Sequence, residues 1–69
     1  MEAKQLKELR SKYNKSQTDL AVFLGYTVKG KPNRSMIARF ENGYQPINKR
    51  IGMLLSYYFE DLRKQNNEI

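Results

Sequence analysis

The stretch Ser35-Met36-Ile37-Ala38-Arg39-Phe40-Glu41-Asn42-Gly43, "SMIARFENG", decides how this chain is read. Ile37 and Phe40 stand three apart, so a helix carries both on one face, with Met36 at its flank. Setting that face inward turns Arg34, Ser35, Ala38 and Arg39 outward. Asn42-Gly43 is a helix stop, because glycine takes the left-handed conformation at little cost. Asn33 is placed to cap the start with its side chain, and Ser35 is a possible later cap. Glu41 lies beside Phe40 and points partly back toward the first helix rather than to solvent.

Upstream, "SQTDLAVFLG" (16–25) opens with Ser-x-x-Asp, a capping box in which Asp19 replaces the usual Glu or Gln. Leu20, Phe23 and Leu24 supply its apolar stripe and Gly25 its end. Before it, "EAKQLKELRSKY" (2–13) places Leu6, Leu9 and Tyr13 on one face of a first helix, broken at Asn14-Lys15. "YTVKGKPN" (26–33) has no helical period and reads as a loop. Beyond the turn at Tyr44-Gln45-Pro46, a stripe of Ile51, Leu54, Leu55, Tyr58, Phe59 and Leu62 predicts a long helix to about Gln65, or two helices joined near Tyr57. Gly52 weakens that helix by roughly 1 kcal/mol relative to Ala. The expected core is Leu9, Leu20, Phe23, Ile37, Phe40, Ile51 and Leu55. The fold class is all-α: one compact domain over residues 1–69 with four or five helices, its 57–69 segment a possible dimerisation tail.

Composition narrows the function classes. The chain has 69 residues, 13 Lys and Arg against 7 Asp and Glu, a net charge of +6, and neither cysteine nor histidine. A disulfide and a thiolate metal site are excluded, and the usual general base is missing, so neither an enzyme nor a metal or cofactor is expected. The positive charge favours a polyanionic partner, with nucleic acid first and an anionic membrane surface second. No apolar run approaches the ~18 residues of a membrane span, nor does the start lead into a signal core, so the cytoplasm is the default location.

Two short helices, a turn and a third helix with a polar outer face describe a helix-turn-helix. The blocks "LKELR" (6–10), "SQTDLAVFLG" (16–25) and "SMIARFENG" (35–43), followed by Pro46, resemble the Cro and phage-repressor (XRE) type of helix-turn-helix DNA-binding domain, the lambda-repressor-like fold. An outward arginine on such a helix can pair bidentately with guanine O6 and N7, a serine can donate or accept, and the Ala38 methyl can meet a thymine methyl. Arg34, Ser35, Ala38 and Arg39 are therefore the candidate base contacts. The resemblance also implies an Arg10–Glu41 pair that orients the reader helix, and phosphate contacts at Gln17 and near Asn42. Tyr44 and Lys49 are further candidate phosphate contacts.

The chain departs from the pattern between Leu24 and Asn33, where eight residues stand in place of a turn of ~3–4. Lys29 and Lys31 either grip phosphates there or decorate a tolerated insertion. In the tail, Tyr58, Phe59 and Leu62 either form a self-association surface or fold back on the first helix. A two-fold homodimer would place two reader helices one DNA turn apart, ~34–36 Å. The expected function is a sequence-specific regulator bound to double-stranded DNA: a dimeric autorepressor at a palindromic operator, of the kind found in phages and mobile elements, with no small-molecule ligand and no membrane. Activation instead of repression stays open. The rival readings are a protein-interaction module such as an antitoxin, and a basic amphipathic membrane-surface peptide.

Overall fold

The computed structural model describes residues 1–66. These residues form four helices and one small hairpin: α1 (Ala3–Lys12), α2 (Gln17–Leu24), β1 (Thr27–Val28), β2 (Lys31–Pro32), α3 (Arg34–Glu41) and α4 (Lys49–Gln65). No helix among the described residues is long and apolar enough to cross a membrane. Of the tail expected at 57–69, residues 67–69 lie outside the described residues.

The helix boundaries follow from local chemistry. At the start of α2 the Asp19 amide donates to Ser16 Oγ at 3.0 Å, while the Ser16 amide donates to Asp19 Oδ2 at 2.8 Å. Those bonds from Ser16, backbone first and hydroxyl second, hold the Asp19 carboxyl below the usual aspartate range. A depressed carboxyl stabilises the fold above its unfolded pKa of about 3.9, and that stability is lost as pH falls through the folded value. Asn48 caps α4 in the same manner, accepting from the Ile51 amide at 2.8 Å. The side-chain cap expected of Asn33 does not form. Its carbonyl accepts from Met36 instead, and its amide donates to Tyr26 O at 2.9 Å, so the residue closes the hairpin while it opens the helix.

Three helices stop by one device. Asn14, Gly25 and Gly43 take left-handed backbone at φ 56°, 75° and 76°. In each case the next amide reaches back five residues: Lys15 to Arg10 O, Tyr26 to Ala21 O, and Tyr44 to Arg39 O. These are Schellman-type closures, which satisfy carbonyls a helix end would leave orphaned.

The all-α expectation is corrected at 27–32. Thr27 pairs with Pro32 and Val28 with Lys31, antiparallel, around a two-residue turn. Lys29 (φ 51°) and Gly30 (φ 79°) both have positive φ, as a type I′ turn requires, and that turn matches the twist of a hairpin. Lysine at its first position is not a favoured turn residue, so the segment reads as plain loop in sequence.

The core consists of Leu6, Leu20, Ala21, Ile37, Phe40, Leu55 and Phe59. Four of the seven residues expected there, Leu20, Ile37, Phe40 and Leu55, are buried, and Leu9 and Ile51 pack at its margin. Phe23 is the exception at 42% exposed. It lies about 60° round the helix from Leu20, and its ring leans on Tyr58 with centroids 4.6 Å apart. Small Ala21 occupies the buried position. Because α4 is one unbroken helix, Phe59 stays in line with Leu55 and reaches Tyr13 at the end of α1, centroids 6.1 Å apart. Gly52 is buried, and a Cβ there would stand 3.3 Å from the Met1 nitrogen, so the missing side chain makes room for the start of the chain.

Leu6→Ala is expected to cost ~2–5 kcal/mol, a large part of the total stability of so small a domain. Phe23→Ala should cost clearly less, its ring being half in solvent. Urea unfolding of the two variants checks this order, and the reverse order would place Phe23 in the core.

Candidate nucleic-acid interface

Helix α3 sorts its residues as the sequence pattern requires. Ile37 and Phe40 are buried, Met36 and Ala38 are half-buried, and Arg34, Ser35, Arg39 and Asn42 are exposed. One row of polar groups, Ser35, Arg39 and Asn42, therefore runs along the outer face, with Arg34 at its N-terminal end. Ala38 lies between the arginines and contributes only its half-covered methyl.

What holds that face in place is a relay of side chains behind it. Arg10, from the last turn of α1, forks onto Glu41 in the last turn of α3: Nε to Oε2 at 2.5 Å and Nη2 to Oε1 at 3.0 Å. Its third group, Nη1, donates to Lys15 O at 3.1 Å, which the left-handed turn at Asn14 presents. The side chains are 20% and 3% exposed, so the carboxylate is withdrawn from water and the guanidinium almost so. The hydrogen bond to Glu41 raises the Arg10 pKa, opposed by burial and aided by the carboxylate's charge. The pair expected between Arg10 and Glu41 is thus formed, with both ends of the fork engaged.

Gln17 extends the relay. Its Nε2 donates to Glu41 Oε1 at 3.2 Å, and its Oε1 accepts from Arg34 Nη1 at 3.2 Å. The amide head expected to meet a phosphate is therefore already employed within the chain. What Gln17 offers an anion is its backbone amide at the first position of α2, where helix geometry leaves it unpaired. The Gln17–Arg34 link is not legible in sequence, because a glutamine at a helix start has many rotamers and no spacing rule names its partner.

The remaining candidates divide. Lys29 and Lys31 are exposed on the hairpin that leads directly into α3. Asn42 ends α3, and Tyr44 projects just beyond it, 81% exposed. Lys49 instead borders a groove of about 350 Å³ on α4 with Met1, Gly52, Met53, Ser56 and Tyr57, and none of the outward α3 residues lines it.

Of the two arrangements open to Tyr58, Phe59 and Leu62, the chain packs them back on itself. Phe59 is buried against Tyr13 and the core, while Tyr58 and Leu62 are half-buried and packed on it. They fold back on their own chain because α1 and α2 leave Tyr13 and Phe23 at that end to receive them. The apolar groups that α4 leaves exposed are Met53, Leu54 and Tyr57.

Compared with protein-family models, with curated proteins and with solved structures, the chain matches none.

Removing one partner of a part-buried ion pair leaves the other's donors unanswered, with some relief from solvent at Arg10. Glu41→Ala is expected to destabilise the domain by ~1–3 kcal/mol. Replacing both, Arg10→Met with Glu41→Leu, should recover most of that loss, since apolar pairs of similar volume substitute well. Denaturant titration of the three variants checks the cycle. A Glu41→Ala variant as stable as the parent would deprive the relay of its structural role.

Proposed function

We propose that this chain is a helix-turn-helix regulator that binds double-stranded DNA by laying α3 in the major groove, works as a homodimer and represses by covering promoter sequence. The observation that carries the reading is the two-sided character of α3. Its inner side is locked to α1 and α2 through Phe40, Ile37 and the Arg10–Glu41–Gln17 relay, while Ser35, Arg39 and Asn42 are exposed on its outer side beside Arg34, which is exposed and bonded to Gln17. A rigid helix with a polar outer row suits the major groove, which admits an α-helix and presents a distinct donor and acceptor pattern for each base pair.

The arginines differ in their readiness. Arg39 is exposed in the last turn of α3, with its fork available to guanine O6 and N7. Arg34 is tethered by one Nη1 bond to Gln17, which steers the rest of its fork without spending it. Lys29 and Lys31 on the hairpin before α3, Asn42 at its end and Tyr44 just beyond it are the proposed phosphate contacts. The net charge of +6 supplies the sequence-independent attraction. The reading as an antitoxin-like protein-binding module predicts the opposite behaviour: weak DNA association insensitive to salt, and a stoichiometric complex with a protein.

Selection of bound sequences from random double-stranded DNA tests the proposal, and recovery of no preferred sequence would overturn it. On the selected site, Arg39→Ala is expected to cost ~1–3 kcal/mol and to relax preference at one base pair per half-site. Lys31→Ala should weaken selected and random DNA alike and lower the slope of log affinity against log salt by about one. Equal losses on both DNAs for Arg39→Ala would move that residue from base reading to backbone contact.

A further inference from the structure

The outward side of α4 is neither basic nor wholly polar. Met53, Leu54 and Tyr57 are 49%, 37% and 66% exposed, an apolar strip in the middle of the longest helix. Exposed Arg50 lies on one side of the strip in sequence and exposed Asp61 on the other. The positions 50, 54, 57 and 61 follow a four-three-four spacing, which keeps residues on a single seam between two packed helices. Along that seam the order is cation, apolar, aromatic, anion.

Such an order is self-complementary in one orientation only. With two α4 helices antiparallel about a two-fold axis midway between Leu54 and Tyr57, each Arg50 faces Asp61 of the other copy. Each Leu54 then faces Tyr57 of the other copy. A parallel pairing would set Arg50 against Arg50 and Asp61 against Asp61, which like charges oppose. Among the described residues, Asp61 accepts from the neutral Gln65 amide at 2.9 Å, and neither Asp61 nor Arg50 has an ion-pair partner. A nucleic acid would be repelled by Asp61 here, and a two-fold contact needs one patch to fit itself.

We infer that this face of α4 is the homodimer surface, occupied by the same face of a second copy running antiparallel. Phe23, 42% exposed, leans on Tyr58, the residue that follows Tyr57 along α4. A seam of four residues on one helix falls well short of the ~20–30 residues a side of a standard interface, so the dimer dissociates on dilution. The inference deepens the DNA-binding reading by naming the surface that would set the spacing of two reader helices. It rests on that reading only for this consequence.

Sedimentation of the full chain over a concentration series, without DNA, tests it. The parent should pass from monomer to dimer mass. Arg50→Asp and Asp61→Arg should each weaken the dimer by about tenfold or more, because each symmetric pair becomes a like-charge contact. The double swap, Arg50→Asp with Asp61→Arg, should regain most of the parent's association. Tyr57→Glu, at the most exposed point of the strip, should abolish it, with circular dichroism verifying that every variant keeps its helices. A parent that stays monomeric throughout overturns the inference, as does a double swap no better than the single ones. A dimeric parent that selects no DNA sequence overturns the DNA reading and leaves this surface standing. A monomeric parent that selects a half-site does the reverse.

Discussion

A carboxylate withdrawn from water must be answered by donors, and in this chain that obligation falls on Glu41. Three donors reach it, two from Arg10 and one from Gln17, and they come from two different helices. The last turn of α3 is thereby fixed to the end of α1 and the beginning of α2 at once. Apolar contacts alone would let a two-turn helix roll about its axis, since Ile37 and Phe40 define a stripe and not a direction. A forked bond between two planar groups has a direction. The orientation of the outer row on α3, Ser35, Arg39 and Asn42, depends on it. Burying such a pair adds little net stability, so its contribution is uniqueness of arrangement.

The same economy governs how the chain reverses. With no cysteine to form a disulfide, the described residues hold four helices together through a core of seven side chains and a set of closed helix ends. The left-handed residues Asn14, Gly25 and Gly43 end their helices while satisfying carbonyls, so each reversal is also a repair. The turn at Asn14 does more, because it delivers the Lys15 carbonyl to the third group of the Arg10 fork. Backbone geometry and side-chain electrostatics meet at that point.

Periodicity made most of this legible. The spacing of Leu6 and Leu9, the Ser16–Asp19 box, Gly25, the Ile37–Phe40 pair and the Gly43 stop located α1, α2 and α3 to within a few residues. The outward set on α3 followed from the inward one. Where sequence reasoning fell short, the causes are physical. Phe23 has the hydrophobicity of a core residue, but its angle on a short helix sends it to Tyr58. Phe59 looked spare because a stripe read along one helix cannot reveal that Tyr13 waits at the end of another. The hairpin was hidden by a lysine in left-handed backbone, a choice that composition rules disfavour. The Gln17–Arg34 link joins residues 17 positions apart through a flexible amide, and no local pattern encodes it.

The hairpin also changes what the length of the segment between α2 and α3 means. Tyr26 O and Asn33 N stand 2.9 Å apart, so the residues between them leave and return to nearly the same point. Mechanically, α2 and α3 are joined across one hydrogen bond, and the intervening excursion adds no slack to their relative placement. A ladder lengthened by matched residues on both strands would close at the same two atoms and leave the phase of α3 untouched. The segment is thus a port in the architecture: its size and chemistry can vary, by descent or by design, while the helices on either side keep their registration.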